Sequence, residues 1–420
     1  MATSVQSQVR VGECVDLYYY DHETAAKQCW ATTQNTKYVQ QFQNLAGGSS
    51  VFTIPPQNGI QDIICEFSFG TDISGASTGL ALPRGWGYAL IKQVSFRYGG
   101  SSQYFLSGQQ VLQNALRRQP NRSAADDLLT LGGNFTAGAS FASPVTANVV
   151  LTLPHNIPSG VGKAHPLPTD LLTQQVQITV ELYSPASIFT VAAGGGSSTP
   201  PSALNSASFA VQQVMLNNQG DALARRVDMA TNAYSFPCEF VQQMQVIPLQ
   251  ASAASQSVVL TGFRSGEVKA VHCWITSDQD NNLNASTGAK SPFLWYQPSA
   301  IQMTYAGDVY ARYDNASAPL WNLINGNKAP AVDNIVITAA TPPTAAPFLS
   351  VWTELPFAQT HVDEDSHNTL VHGKPITNGL VNLDITVPAA IAARTDLKLN
   401  VSYIYNTTLL FSQGTADYVF

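Results

Sequence analysis

The densest group of metal-ligating and acid–base side chains is the heptapeptide His361-Val362-Asp363-Glu364-Asp365-Ser366-His367. Asp363 and Asp365 carry hard oxygen ligands, and His361 and His367 carry imidazole nitrogens, which are the atoms of a calcium or zinc site. The segment lacks the glycine and the further spaced oxygens of a calcium loop. It reads as a solvated acidic loop between strands, with no metal and no cofactor assigned. A glycosidase built on a β-sandwich needs two carboxylates that project from strands into one cleft. Glu181 and Asp384 fall on polar strand faces in different halves of the chain, so each is expected to be an ordinary solvated side chain. No GxSxG, P-loop or GxGxxG motif occurs, and Gly-Gly-Ser-Ser-Thr-Pro at 195–200 has no lysine to meet a phosphate. No catalytic residue is assigned.

Two further sets of residues are weighed in the same way. Asn134, Asn284, Asn315 and Asn406 open formal Asn-X-Ser/Thr sequons. The N-terminal residues hold no apolar signal segment, so the sequons read as chance. Trp86, Trp274, Trp295, Trp321 and Trp352 are expected to fill a core and not to form a sugar-stacking platform.

The elements that position these residues follow from composition and pattern. Of 420 residues, 45% are hydrophobic and only 11% charged, less than half the usual share of about 25%. The surface must be largely neutral, made of Gln, Asn, Ser and Thr, with 24 Pro and 29 Gly as punctuation. Such a surface suits a β-protein covered by neighbours in an assembly. The net charge is −7 and no basic run exceeds Arg117-Arg118 or Arg225-Arg226, which argues against direct binding to a nucleic-acid backbone. No stretch approaches the roughly 18 apolar residues of a spanning helix, so no membrane insertion is expected. Cys14, Cys29, Cys65, Cys238 and Cys273 are odd in number and show no CxxC spacing. They read as free thiols made in a reducing compartment, with Cys65 and Cys273 in the core.

Trp86 to Gly100 reads as a strand, with Tyr88, Leu90, Val94, Phe96 and Tyr98 on one face and Lys92 breaking that face by extending its ammonium to an edge. A helix is expected over 106–117, with Leu106, Val111, Leu112 and Leu116 along one side. Val176, Ile178, Val180 and Leu182 alternate with polar residues, as do Val381, Leu383, Ile385 and Val387. Each is a strand with one wet face. Phe96–Gly100 aligns with Met303–Gly307, and Ile178–Val180 with Ile385–Val387, both at an offset of 207 (303 − 96 and 385 − 178). Leu153-Pro154 aligns with Leu355-Pro356 at 202. Shared order and near-constant offset indicate a duplicated unit of about eight short strands, the count of a jelly roll. The fold expected is all-β, with two tandem eight-stranded jelly-roll β-sandwiches and short inserted helices. Its divisions are an N-terminal arm over 1–45, a first sandwich over 46–219, a linker with a short helix over 220–235, and a second sandwich over 236–420.

Trp86–Lys92 with its Gly-Gly end, the segment Leu167–Tyr183, the junction Phe209–Ala230 followed by Cys238–Ile247, and the ending Val401–Phe420 together resemble the double jelly-roll major capsid proteins. These belong to the nucleocytoplasmic large DNA viruses, virophages and polinton-like viruses. The resemblance spans about 40 to 420. It implies a structural, non-enzymatic protein that gathers as a homotrimer into a pseudo-hexagonal capsomer of an icosahedral shell. Implied partners are neighbouring capsomers, minor capsid proteins and penton proteins. The implied location is the virion, after synthesis and assembly inside the host cell. The loops at 155–170 and 192–206 are then candidates for the outward side. The alternative class is a carbohydrate-binding or carbohydrate-active β-sandwich, which would be expected to carry a signal peptide and an exposed aromatic platform.

Overall fold

The computed structural model describes residues 31–56, 59–70, 80–82, 85–100, 102–119, 122–133, 145–156, 166–191, 200–216, 227, 233–278, 293, 295–296, 298–314, 352–357, 373–376, 380–389 and 391–420. The acidic loop at 361–367, the linker helix around Arg225-Arg226, Trp321, Cys14, Cys29, Asn134, Asn284 and Asn315 all lie outside the described residues.

The first sandwich pairs β1 (Ala31–Gln41), β12 (Ser206–Leu216), β3 (Gly59–Phe69) and β7 (Val145–Leu151) in one sheet. The facing sheet holds β2 (Gly48–Ile54), β10 (Val176–Leu182), β5 (Ile91–Tyr98) and β6 (Gln103–Ser107). Two short pairings flank them, β4 (Leu80–Ala81) with β11 (Thr190–Val191) and β9 (Leu167–Pro168) with β3. The second sandwich repeats the plan. One sheet runs β13 (Tyr234–Val241), β22 (Leu397–Ser412), β16 (Glu267–Ser277), β19 (Thr353–Pro356), and the other β15 (Ser255–Leu260), β21 (Val381–Thr386), β17 (Ala300–Tyr305), β18 (Asp308–Asp314). Numbered within each half, both sandwiches read 1-8-3-6 and 2-7-4-5, which is the jelly-roll order. Aromatic rings fill the space between sheets; Phe52 of β2 stacks on Phe209 of β12 with centroids 4.1 Å apart.

The repeat is real, but its register slides. A constant offset of 207 would set Met303 opposite Ile385, as Phe96 stands opposite Ile178; instead Met303 faces Leu383. A slip of two residues keeps every side chain on its own face, so the sandwich tolerates it where a slip of one would not. The Leu153-Pro154 match does not hold. Leu355-Pro356 pairs within β19, whereas Leu153-Pro154 lies beyond the end of β7.

Three local expectations are corrected. Residues 31–41, expected within an N-terminal arm, form β1 and pair with β12. Trp86–Leu90 is not strand but a single turn of helix, α1 (Trp86–Leu90), with every residue buried. Burial on all sides leaves a continuous apolar run that periodicity cannot assign. Lys92 then lies outside the core because a bulge at β5 sets Glu181 opposite Gln93 but Leu182 opposite Ile91. Its ammonium meets Glu181 at 2.7 Å. The expected helix over 106–117 begins later: Gln103–Ser107 is β6, and α2 (Gly108–Arg117) follows. A further helix, α3 (Arg122–Leu131), was not expected.

Gly87 makes α1 possible. A Cβ there would stand 2.7 Å from Val149 Cγ2 and 2.8 Å from Ala147 Cβ, both on the inner face of β7. Exposed helical Gly→Ala changes usually stabilise by up to about 1 kcal/mol. Gly87→Ala is expected to destabilise by about 1–3 kcal/mol through overpacking, and chemical denaturation of the variant checks the reversed sign.

Candidate functional site at the seam between the sandwiches

The first sandwich meets the outer face of the second sandwich's β13-β22-β16-β19 sheet. From Asp62 to Phe67 of β3 burial alternates, as in a sheet with one wet face, whereas its counterpart β16 is buried from Ala270 to Ser277 without interruption. Val271, Cys273 and Ile275 point into their own sandwich, and His272, Trp274 and Thr276 point outward, yet these too are buried. Trp352 lies against His272, Asn400 bonds Thr276, and Trp274 is met by Trp295 and by α2, which is inserted between the fifth and sixth strands of the first sandwich.

Gln110 is the centre of this contact and is fully buried. Ser107 caps α2 by accepting from Gln110 N (3.2 Å), and Gln110 Oε1 accepts in return from Ser107 N (3.2 Å), a capping box. The same amide crosses to the second sandwich. Its Nε2 donates to Gln242 O (2.7 Å) and Ser402 Oγ (2.8 Å), and its Oε1 accepts from Met244 N (3.1 Å). Every donor and acceptor of the amide is thus used. One residue earlier, Gln109 Oε1 accepts from Trp274 Nε1 (2.8 Å).

The far end of α2 is tied by charge. Arg117 Nη2 lies 2.9 Å from Glu239 Oε2 on β13, and Lys269 of β16 bonds the other carboxylate oxygen. Burial alone would raise the Glu239 carboxyl, but Arg117 and Lys269 outweigh it and hold it at about 2. Beside them His272 Nε2 meets Glu354 Oε2 at 2.8 Å; burial opposes ionisation of Glu354, and the imidazole nevertheless brings its carboxyl below the ordinary range. Arg118 Nη2 donates to Leu153 O (3.1 Å) and His155 O (2.7 Å).

A third tie is made by backbone and aromatic rings. The short β8 (His155–Asn156) leaves the first sandwich to pair with Glu239 and Phe240 of β13. β23 (Thr415–Val419) returns from β22 to the first sandwich, where Tyr104 donates to Asp417, and Tyr418 Oη sits 2.5 Å from His155 Nδ1. Burial, and then the Arg118 charge, press the His155 imidazole down to about 3. The loop over 155–170, expected to face outward, therefore begins inside the seam.

Of the residues weighed for chemistry, Glu181 on β10 and Asp384 on β21 lie on outer faces of different sandwiches and form no pair. Trp86, Trp274, Trp295 and Trp352 are 0–1% exposed, so these four fill core and seam and offer no stacking platform. Asn406 sits within β22, opposite Glu239. Cys65, Cys238 and Cys273 are buried free thiols, and burial raises each thiol far above its ordinary value.

Two like-ordered jelly rolls in one chain, joined by a buried polar seam, define a double jelly-roll protein. No family model matches the chain, and no curated protein sequence does. Solved structures share the fold. VP54 of PBCV-1, in its fit to a reconstruction of the virophage Sputnik, overlays with a TM-score of 0.59 at 14% identity over 93% of this chain and 98% of that one. The PBCV-1 virus capsid gives 0.60 at 13% identity over 93% and 98%. The Sputnik virophage particle gives 0.57 at 11% identity over 93% and 89%.

Proposed function

We propose that this chain is the major structural subunit of an icosahedral virus shell. It acts by self-assembly: three copies gather their six jelly rolls into a pseudo-hexagonal capsomer, and capsomers tile with one another, with minor capsid proteins and with penton proteins. The role is structural and not catalytic. The chain does not contact nucleic acid directly or insert into a membrane, and it resides in the virion after assembly inside the host cell. The first sandwich, the junction around 220–235 and the second sandwich act as the two building units and their hinge of sequence.

The observation that carries this reading is the duplication itself, with identical strand order in both halves and a neutral exterior. The outer face of the first sandwich's β2-β10-β5-β6 sheet illustrates the exterior. Val51, Thr179, Ser95 and Phe105 form one cross-strand row, and Thr53, Gln177, Arg97 and Gln103 the next, with one charge among the eight. Few charges need be desolvated when such a surface meets a neighbour, and unpaired burial of a charge costs several kcal/mol. Native mass measurement on the purified full chain is expected to find three copies. A stable monomer that binds glycans would refute the reading in favour of a carbohydrate-binding sandwich.

A further inference from the structure

Beyond Arg118 the seam ends in a clasp made by β8 and by the hairpin that joins β22 to β23. Gln413 and Gly414 turn that hairpin with φ of 50° and 79°. Its tip seats on the first sandwich, where Thr173 N donates to Gly414 O (2.9 Å) and a Cβ on Gly99 would stand 2.9 Å from the same oxygen. Along β23, Asp417 accepts from Tyr104 and Ser102, and the Tyr418 ring lies edge-on to Tyr104 and Tyr98. Inside the clasp sits His155, 3% exposed. Its Nδ1 meets Tyr418 Oη, and its Nε2 is buried with no partner among the described residues. A protonated imidazole must donate from both nitrogens, and this site offers Nε2 no acceptor.

We propose that β8 and β23 form an acid-released clasp: protonation of His155 lifts β23 from the first sandwich while α2 stays seated on the second. The device lies within one chain and is independent of the assembly reading. The groups around the ring give the proton no home. β5 and β23 bring Tyr98 and Tyr418 to it, and Tyr104 of β6 packs on both. Cys238 of β13 adds a thiol that burial keeps neutral, and Arg118, just past α2, adds a cation. The carboxylates on these elements are engaged elsewhere, Glu239 by Arg117 and Lys269, and Asp417 by Tyr104 and Ser102. Burial and the Arg118 charge hold the imidazole at about 3 against an ordinary 6.5, so the closed clasp refuses a proton that the open one takes. Closure is at full strength above pH 6.5 and is lost as pH falls toward 3, by about tenfold per unit. The α2 contacts do not share this window. The bonds of Gln110 carry no charge, and Glu239, held at about 2, contributes fully down to pH 4.5. Between pH 6.5 and 4.5 the clasp therefore weakens and the α2 end does not.

Amide exchange on the purified full chain, with each rate divided by the intrinsic rate at the same pH, tests the clasp. From pH 7.5 to 4.5, protection over 415–419 is expected to fall by about 90-fold, and protection over 108–117 by less than about threefold. His155→Gln, which takes up no proton, is expected to keep protection over 415–419 within about threefold across the same range. Circular dichroism checks that this variant is folded. Tyr418→Phe leaves the histidine in place and gives a second readout. It is expected to lower protection over 415–419 by about tenfold already at pH 7.5, as loss of one buried hydrogen bond should, and to retain the acid response. Equal loss over 415–419 and 108–117 would mean that the whole seam opens, and unchanged protection over 415–419 would mean that the clasp stays shut. Either result overturns the proposal, as does an undiminished acid response in folded His155→Gln or an unaltered pH 7.5 protection in Tyr418→Phe.

Discussion

Replacing Glu239 by alanine is expected to cost about 3–5 kcal/mol, the usual consequence of breaking a buried ion pair by removing one member. Arg117 reaches this carboxylate from the first sandwich and Lys269 from the second, so the truncation leaves two cations facing each other across the seam. The loss should be selective. The two hydrophobic interiors are untouched, and the variant is expected to melt in two calorimetric steps where the wild type shows one. A single unshifted transition would show that Glu239 does not hold the halves together. Glu239→Gln keeps the shape but not the charge, and is expected to fall between the two.

Acid should act on the same seam, in two overlapping windows. His155 has its pKa lowered to about 3 from an ordinary 6.5. The unfolded chain therefore takes up a proton that the folded chain refuses, and stability falls as pH drops below 6.5. At pH 4 the accumulated loss is about 3 kcal/mol, from roughly 1.4 kcal/mol per pH unit. Glu239, held at about 2 against an ordinary 4.5, contributes fully above pH 4.5, and its share of about 3 kcal/mol fades as pH falls toward 2. Among the described residues, the groups that meet the His155 ring are Tyr98 of β5 and Tyr418 of β23, with the Arg118 cation just beyond α2 nearby, and none of these is an anion. Urea unfolding at pH 7, 5.5 and 4 checks the slope. His155→Gln is expected to flatten the limb between 6.5 and 4.5 while leaving the lower one, and an unchanged limb would remove His155 from the account.

The strands with one wet face were legible in the sequence because alternation is a local property. Val176–Leu182 and Val381–Thr386 show it in residue types and in burial alike. The duplication was legible at its turns. Gly99 and Gly100 have φ of 60° and 86°, and Ala306 and Gly307 have 53° and 91°, so both hairpins pass through left-handed backbone where the sequences align. Trp86–Leu90 misled because a turn of helix buried all round has no polar face to set its period. Gln103–Ser107 was absorbed into the helix after it, although Ser107-x-x-Gln110 is a capping-box spacing that places the helix start at 108. The seam left almost no local trace. Arg117 and Glu239 are 122 residues apart and Gln110 and Ser402 are 292 apart, and in isolation each looks like an ordinary surface polar residue.

The unequal burial of β3 and β16 bears on the order in which the chain is made. The half that keeps a wet outer face emerges from the ribosome first and meets water without a partner. The half whose corresponding strand is buried on both sides emerges later, when α2 has already been made. Synthesis in the reverse order would expose Trp274, Ile404 and Val241 to solvent until the cover arrived, so the polarity of translation itself shields the stickier half.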